Sequence, residues 1–136
     1  MTEKADIIIF GSGSFAARIL FDAAATASKP VTIMIAGRNR ERLAWLRTAA
    51  NARAFMFARP ARVIEHAIDL MDEAATADLI GATRPAVIVQ AASAQSAAVI
   101  ASHGDAWSRL VAEGGLSTTA VFQALLSTRV ARAART

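Results

Sequence analysis

Four short apolar runs punctuate the first ninety or so residues, and helical patterns lie between them. Asp6-Ile7-Ile8-Ile9-Phe10 is β-branched, stops at Gly11, and reads as a buried parallel strand. Ser12 to Ala27 carries helical spacing, with Phe15, Ile19, Leu20 and Ala23 on one side and Arg18 and Asp22 off it. Ser28-Lys29-Pro30 breaks that helix. Val31 to Ala36 predicts a second strand, ended by Gly37. Asn39 then stands where it can cap a helix from Arg40 to about Arg53, with Leu43, Leu46 and Ala50 as its buried stripe. Residues 51–61 fit either a prolonged helix or a loop, and Pro60 ends both. Arg62 to Ala67 predicts a third strand, weakened by Glu65 and His66. Asp72 caps a third helix reaching Ala82. Pro85 opens a fourth strand, Ala86 to Gln90, and Ala91 to Gln95 is a loop of small residues beyond it.

Alternation of this kind predicts an α/β fold: a Rossmann-like parallel sheet of about four strands, order 3-2-1-4, flanked by helices. Beyond Ala97 the pattern turns helical, over Asp105 to Glu113 and, after Gly114-Gly115, over Ser117 to about Ala134. No fifth strand is expected. Trp107, Leu110 and Val111 should dock the first of these C-terminal helices on the sheet. Val121, Leu125 and Val130 leave an apolar stripe that needs a partner, so a homodimer is expected. The 136 residues, 54% hydrophobic, suffice for one domain with its own core, and 1–136 is read as a single unit.

The junction of the first strand and helix carries the candidate chemistry. Gly11-Ser12-Gly13-Ser14-Phe15-Ala16 fits G-x-G-x-x-A, and it falls between a strand and a helix, where that pattern acquires meaning. Gly11 permits the tight turn, Gly13 lets a pyrophosphate approach the backbone, and Ala16 lets the helix lie close to the strand. The helix start offers free N–H groups and partial positive charge to phosphate. A dinucleotide is therefore the expected ligand.

Its type is read at the end of the second strand. NAD-binding chains usually place an acid there for the ribose 2′-hydroxyl. Here the sequence is Ala36-Gly37-Arg38-Asn39-Arg40, with no acid. A guanidinium would pair with a 2′-phosphate and stack on adenine. NADP is expected ahead of NAD, with Arg38 the first partner, Asn39 and Arg40 next, and Arg42, a turn further on, less favoured. Asp69 can accept from the adenine amino group. Ala91, Ala92 and Ser93 should leave room for the cofactor at the strand-order switch.

Two segments resemble the NADP-binding domain of saccharopine dehydrogenase-like oxidoreductases. The run from Asp6 to Arg18 is similar to that family's strand, glycine turn and helix start, and Ala36 to Leu43 to its AGRNxxKL segment. The resemblance implies a dehydrogenase or reductase ancestry and NADP as cofactor. It also implies a substrate domain that this chain does not contain, to be supplied by a missing domain or a partner subunit. A non-catalytic nucleotide-sensing domain is the alternative.

Composition narrows the remainder. With no cysteine, disulfides and thiol chemistry are excluded, and the cytoplasm is the expected location. With no tyrosine, the Tyr-x-x-x-Lys proton relay of short-chain dehydrogenases is absent, and Lys4 and Lys29 both precede strands. His66 reads as a half-buried strand residue and His103 as a surface-loop residue. No catalytic residue is assigned, and no metal-ligand spacing appears. Seven arginines and one acid, Glu41, lie between Arg38 and Arg62, giving a strongly basic stretch. No aromatic residues interleave with them as base-stacking requires, so nucleic acid is not an expected partner. No apolar run approaches the ~20 residues that span a bilayer, so no membrane partner is expected either.

Overall fold

The computed structural model describes residues 3–92, 97–113 and 122–125. The elements run β1 (Ile7–Phe10), α1 (Ser14–Thr26), β2 (Val31–Gly37), α2 (Arg40–Met56), β3 (Ala61–Ala67), α3 (Glu73–Thr83), β4 (Val87–Gln90), α4 (Ala97–Ala112) and β5 (Phe122–Leu125). All described strand pairs are parallel, in the order β3-β2-β1-β4-β5. The order 3-2-1-4 is as the sequence predicts. β5 is a correction: Phe122 to Leu125 pair with Val87 to Gln90 instead of continuing a helix. Valine and leucine at positions 121 and 125 match a helical template, but a four-residue strand cannot be told from one helical turn by periodicity. The rest of the expected 117–134 helix lies outside the described residues.

The strand alternation sorts the core into two layers. Ile9, Ile33, Ile35, Val63 and Val89 meet Leu20 of α1 and Leu43 and Leu46 of α2. Ile8, Phe10, Met34, Ala36 and Ile88 meet Leu79 and Ile80 of α3 and Trp107 of α4. Each fully buried isoleucine contributes roughly 1.5–3 kcal/mol. Trp107 also donates its indole N–H to the Pro85 carbonyl at 3.1 Å, which fixes α4 against the sheet as expected. Leu110 packs on the same layer; the Val111 side chain lies outside the described set.

Capping sets the helix starts. Asn39 Oδ1 accepts from the Arg42 N–H and Asp72 Oδ1 from the Ala75 N–H, each at 3.0 Å. α2 takes the longer of its two readings, extending to Met56, and Ala58 at φ 51° turns the chain. β3 forms despite its polar residues because it is an edge strand: Glu65 pairs with Arg47 at 3.2 Å, and His66 is half-buried. Asn51 of α2 covers part of the open edge, donating to the Val63 carbonyl and accepting from its N–H. In α1 the buried stripe is Ala16, Ala17, Leu20 and Ala24, whereas Phe15 is turned outward. Among the described residues no helix is long and apolar enough to cross a membrane.

His103 corrects the surface-loop expectation: it lies within α4, 1% exposed, 4.8 Å from the Phe10 ring. With the Gln90 amide as oriented, its Nε2 donates to His103 Nδ1 at 2.6 Å. Neither Gln90 Oε1 nor His103 Nε2 has a hydrogen-bond partner among the described residues. Burial pushes the imidazole down to about 4, against the Leu70 carbonyl, which favours the charged ring. A histidine buried in its neutral form stabilises the fold above its unfolded pKa and loses that contribution as pH falls toward its folded pKa. Urea unfolding should therefore show stability declining between pH 6.5 and 4 by up to about 3 kcal/mol from this group. His103→Gln should flatten that interval, and an unchanged slope would contradict the assignment.

Candidate functional site

The carboxyl ends of β1, β2, β3 and β4 open onto a cleft of about 440 Å³. It lies where the chain passes from one side of β1 to the other, the position at which open parallel sheets bind ligands. The glycine turn forms one wall.

Gly11 leaves β1 at φ +125°, and a Cβ there would stand 2.9 Å from the Ala91 carbonyl carbon and the Ala92 nitrogen. A side chain would thus meet both a backbone conformation it rarely adopts and the main chain beyond β4. The turn is held by Gly11 N–H donating to the Ala36 carbonyl at 2.9 Å and Ala91 N–H to the Phe10 carbonyl at 2.9 Å. At Gly37 a Cβ would come within 3.3 Å of Ser12 Oγ, so the end of β2 also crowds the turn.

Gly13 differs from both. Its φ of −79° suits any residue, and a Cβ would meet nothing within 4 Å. No part of the described protein requires glycine there; what its bare backbone provides is open space at the start of α1. That helix has no side-chain cap and no acid in its first turn, whereas α2 and α3 each have both. The first intrahelical bond runs from the Ala17 N–H to the Gly13 carbonyl, which leaves the N–H groups of Ser14, Phe15 and Ala16 without helical acceptors.

Most of the expected residues converge on this cleft. Gly11, Ser12, Gly13, Ser14, Phe15, Gly37, Arg38, Asn39, Asp69, Ala91 and Ala92 line it. Ala16 is fully buried against the sheet, as its close-packing role requires. Arg40 is exposed and outside the lining. Ser93 lies outside the described residues. Asn39 faces the cleft with its Oδ1 engaged in capping α2. Asp69 accepts from the Met71 N–H through Oδ1, shaping the loop after β3.

Three residues take parts that sequence reasoning passed over. Leu70 and Met71 line the cleft beside Asp69, and Met71 is 54% exposed although apolar. An apolar pair inside an acidic loop directly after a strand was the available signal. Arg42 donates its Nε–H to the Ser12 carbonyl at 3.0 Å while its guanidinium lies 4.9 Å from the centre of the Trp45 ring. It therefore braces the glycine turn from α2, because one turn along the helix is the distance that lets it reach back. Arg38, by contrast, is exposed and has no hydrogen bond or ion pair with the described residues. Among the described residues no group of side chains could hold a metal ion.

No family model and no curated protein matches the chain. Among solved structures, a lactate dehydrogenase from Cryptosporidium parvum is similar, with a TM-score of 0.56 at 16% identity. The likeness covers 80% of this chain but 32% of that one, so this chain spans about a third of its neighbour's length. At that identity the similarity is one of fold, and the fold is of Rossmann type.

The geometry makes Gly11 a stability residue. Gly11→Ala should lower the unfolding free energy by more than about 2 kcal/mol, read by urea titration. A change within error would mean that the close approach to Ala91 is not maintained.

Proposed function

We propose that this domain binds a nicotinamide dinucleotide, NADP in preference to NAD, and serves as the cofactor-binding part of an oxidoreductase. The observation that carries the reading is the open, uncapped start of α1 at Gly13, facing a cleft that also holds the exposed Arg38. Phosphate suits unpartnered N–H groups at a helix start. In this reading the pyrophosphate lies over Gly13, and the N–H groups of Ser14, Phe15 and Ala16 turn toward it.

The adenosine half falls to the ends of β2 and β3. Arg38 and Arg40 precede or begin α2, an unfavourable place for positive charge beside a helix N-terminus unless an anion offsets it. A 2′-phosphate is such an anion, and Arg38, without a described partner, is free to pair with it. The apolar surfaces of Leu70 and Met71 offer the adenine a place to pack, and Asp69 an acceptor for its amino group. Ala91 and Ala92 leave space toward the nicotinamide.

The bound cofactor would supply hydride transfer, while this chain would bind and orient it. Neither histidine lines the cleft; in this reading substrate binding and proton transfer would fall to another domain or subunit. The saccharopine dehydrogenase-like resemblance of residues 6–18 and 36–43 supports this assignment. Hydride transfer to amino or keto acids when such a domain is supplied would separate it from a nucleotide-sensing role.

NADPH should bind the domain at least about tenfold more tightly than NADH, the weight of one charge-assisted phosphate contact. Arg38→Ala should bring the two within roughly threefold of each other in a fluorescence titration. Equal affinities in wild type and variant would overturn the role of Arg38. Gly13→Val should weaken both nucleotides by at least about tenfold while stability stays within about 1 kcal/mol of wild type. Undiminished binding would remove the pyrophosphate from Gly13.

A further inference from the structure

The end of the sheet opposite the cleft carries an unusual tip. α2 closes with Phe55 and Met56, and Phe57 follows as its C-cap; the three are 87%, 75% and 58% exposed. The tip is held shut by its own backbone. Phe57 N–H donates to the Arg53 carbonyl at 3.1 Å, Ala58 N–H to the Phe55 carbonyl at 3.1 Å, and Arg59 N–H to the Ala54 carbonyl at 2.8 Å. With α2 closed in this way, the three apolar side chains are held outward, away from the core.

Cations surround it. No acid occurs between Glu41 and Glu65. Arg59 is exposed two residues after the tip, whereas half-buried Arg53 turns back along α2, its guanidinium 3.9 Å from the centre of the Phe21 ring and donating to the Ala49 carbonyl at 3.3 Å. The Val31 N–H donates to the Pro60 carbonyl at 3.1 Å, which brings the preceding loop, with exposed Lys29, alongside. The neighbouring acid, Glu3, is paired with Arg62 at 2.7 Å.

We propose that this tip docks the domain on an anionic lipid surface, with Phe55, Met56 and Phe57 entering the interface and Lys29 and Arg59 facing the headgroups. Three consecutive residues at a helix end project to different sides. A protein groove reads residues three and four apart on one helix face. A fluid interface accepts all three at once, and the cationic collar matches its charge. Because α2 spans the domain, roughly 25 Å at its 17 residues, the cleft would face away from the surface and stay open. The sequence lacks a spanning segment, which bears on crossing a bilayer and not on resting upon one. The proposal stands independently of which nucleotide the cleft takes.

The test is co-sedimentation of the 136-residue chain with vesicles of phosphatidylcholine alone or mixed with phosphatidylglycerol. The chain should bind the anionic vesicles at least about tenfold more tightly than the neutral ones, and less tightly at high salt. Phe55→Ser with Phe57→Ser should weaken anionic binding by at least about tenfold, and Arg59→Glu by several-fold. Melting curves and nucleotide titration should match wild type; if the double variant melts early, the highly exposed Phe55→Ser alone carries the comparison. Failure to bind anionic vesicles, or equal binding by the variants, would overturn the proposal. So would loss of self-association in the double variant without loss of lipid binding, which would make the tip an interface between copies.

Discussion

The structure depends on one close approach of two pieces of main chain. At the end of β1 the backbone passes so near the segment after β4 that nothing larger than hydrogen fits on Gly11. Three consequences meet there. β1 and β4 remain neighbours to their final residues, Phe10 beside Gln90. The chain turns sharply enough to start α1 within three residues. And the first turn of that helix is left beside the strand-order switch, where the sheet itself can supply no further partner.

Helix starts then divide the domain by function. α2 and α3 begin with a capping side chain and an acid, local arrangements that complete the helix within the protein. α1 begins with neither. Its turn is braced by other means: Arg42 reaches from α2 to the Ser12 carbonyl, and the Ser12 side chain packs against bare Gly37. The wall of the cleft is thus braced in its backbone and open in its hydrogen bonding, and the proposed phosphate would complete there what side chains complete elsewhere.

Much of this was legible in the sequence. The apolar runs at 7–10 and 31–36, bounded by glycine and proline, place the first two strands sharply, and Val63-Ile64 after Pro60 place the third despite Glu65 and His66. Asn39 and Asp72 mark helix starts through chemistry that acts over three residues. What escaped depends on distance in space. β5 is four residues whose pairing with β4 no local pattern encodes. The burial of His103 follows from α4 beginning at Ala97 and not at Asp105, which turns a loop position into a core one. The brace by Arg42 needs the angle between α1 and α2, and Phe15 leaves the expected stripe because the cleft gives it an outward position on the first turn.

Particular N–H groups at the start of α1 should meet the phosphate, and amide-resolved NMR during titration with NADP reads each of them. The resonances of residues 12 to 16 and of Arg38 should shift saturably, with those of Asn51 and Val63 at the far side of α2 unmoved. Saturable binding that shifts other residues and leaves those of the glycine turn in place would contradict that contact.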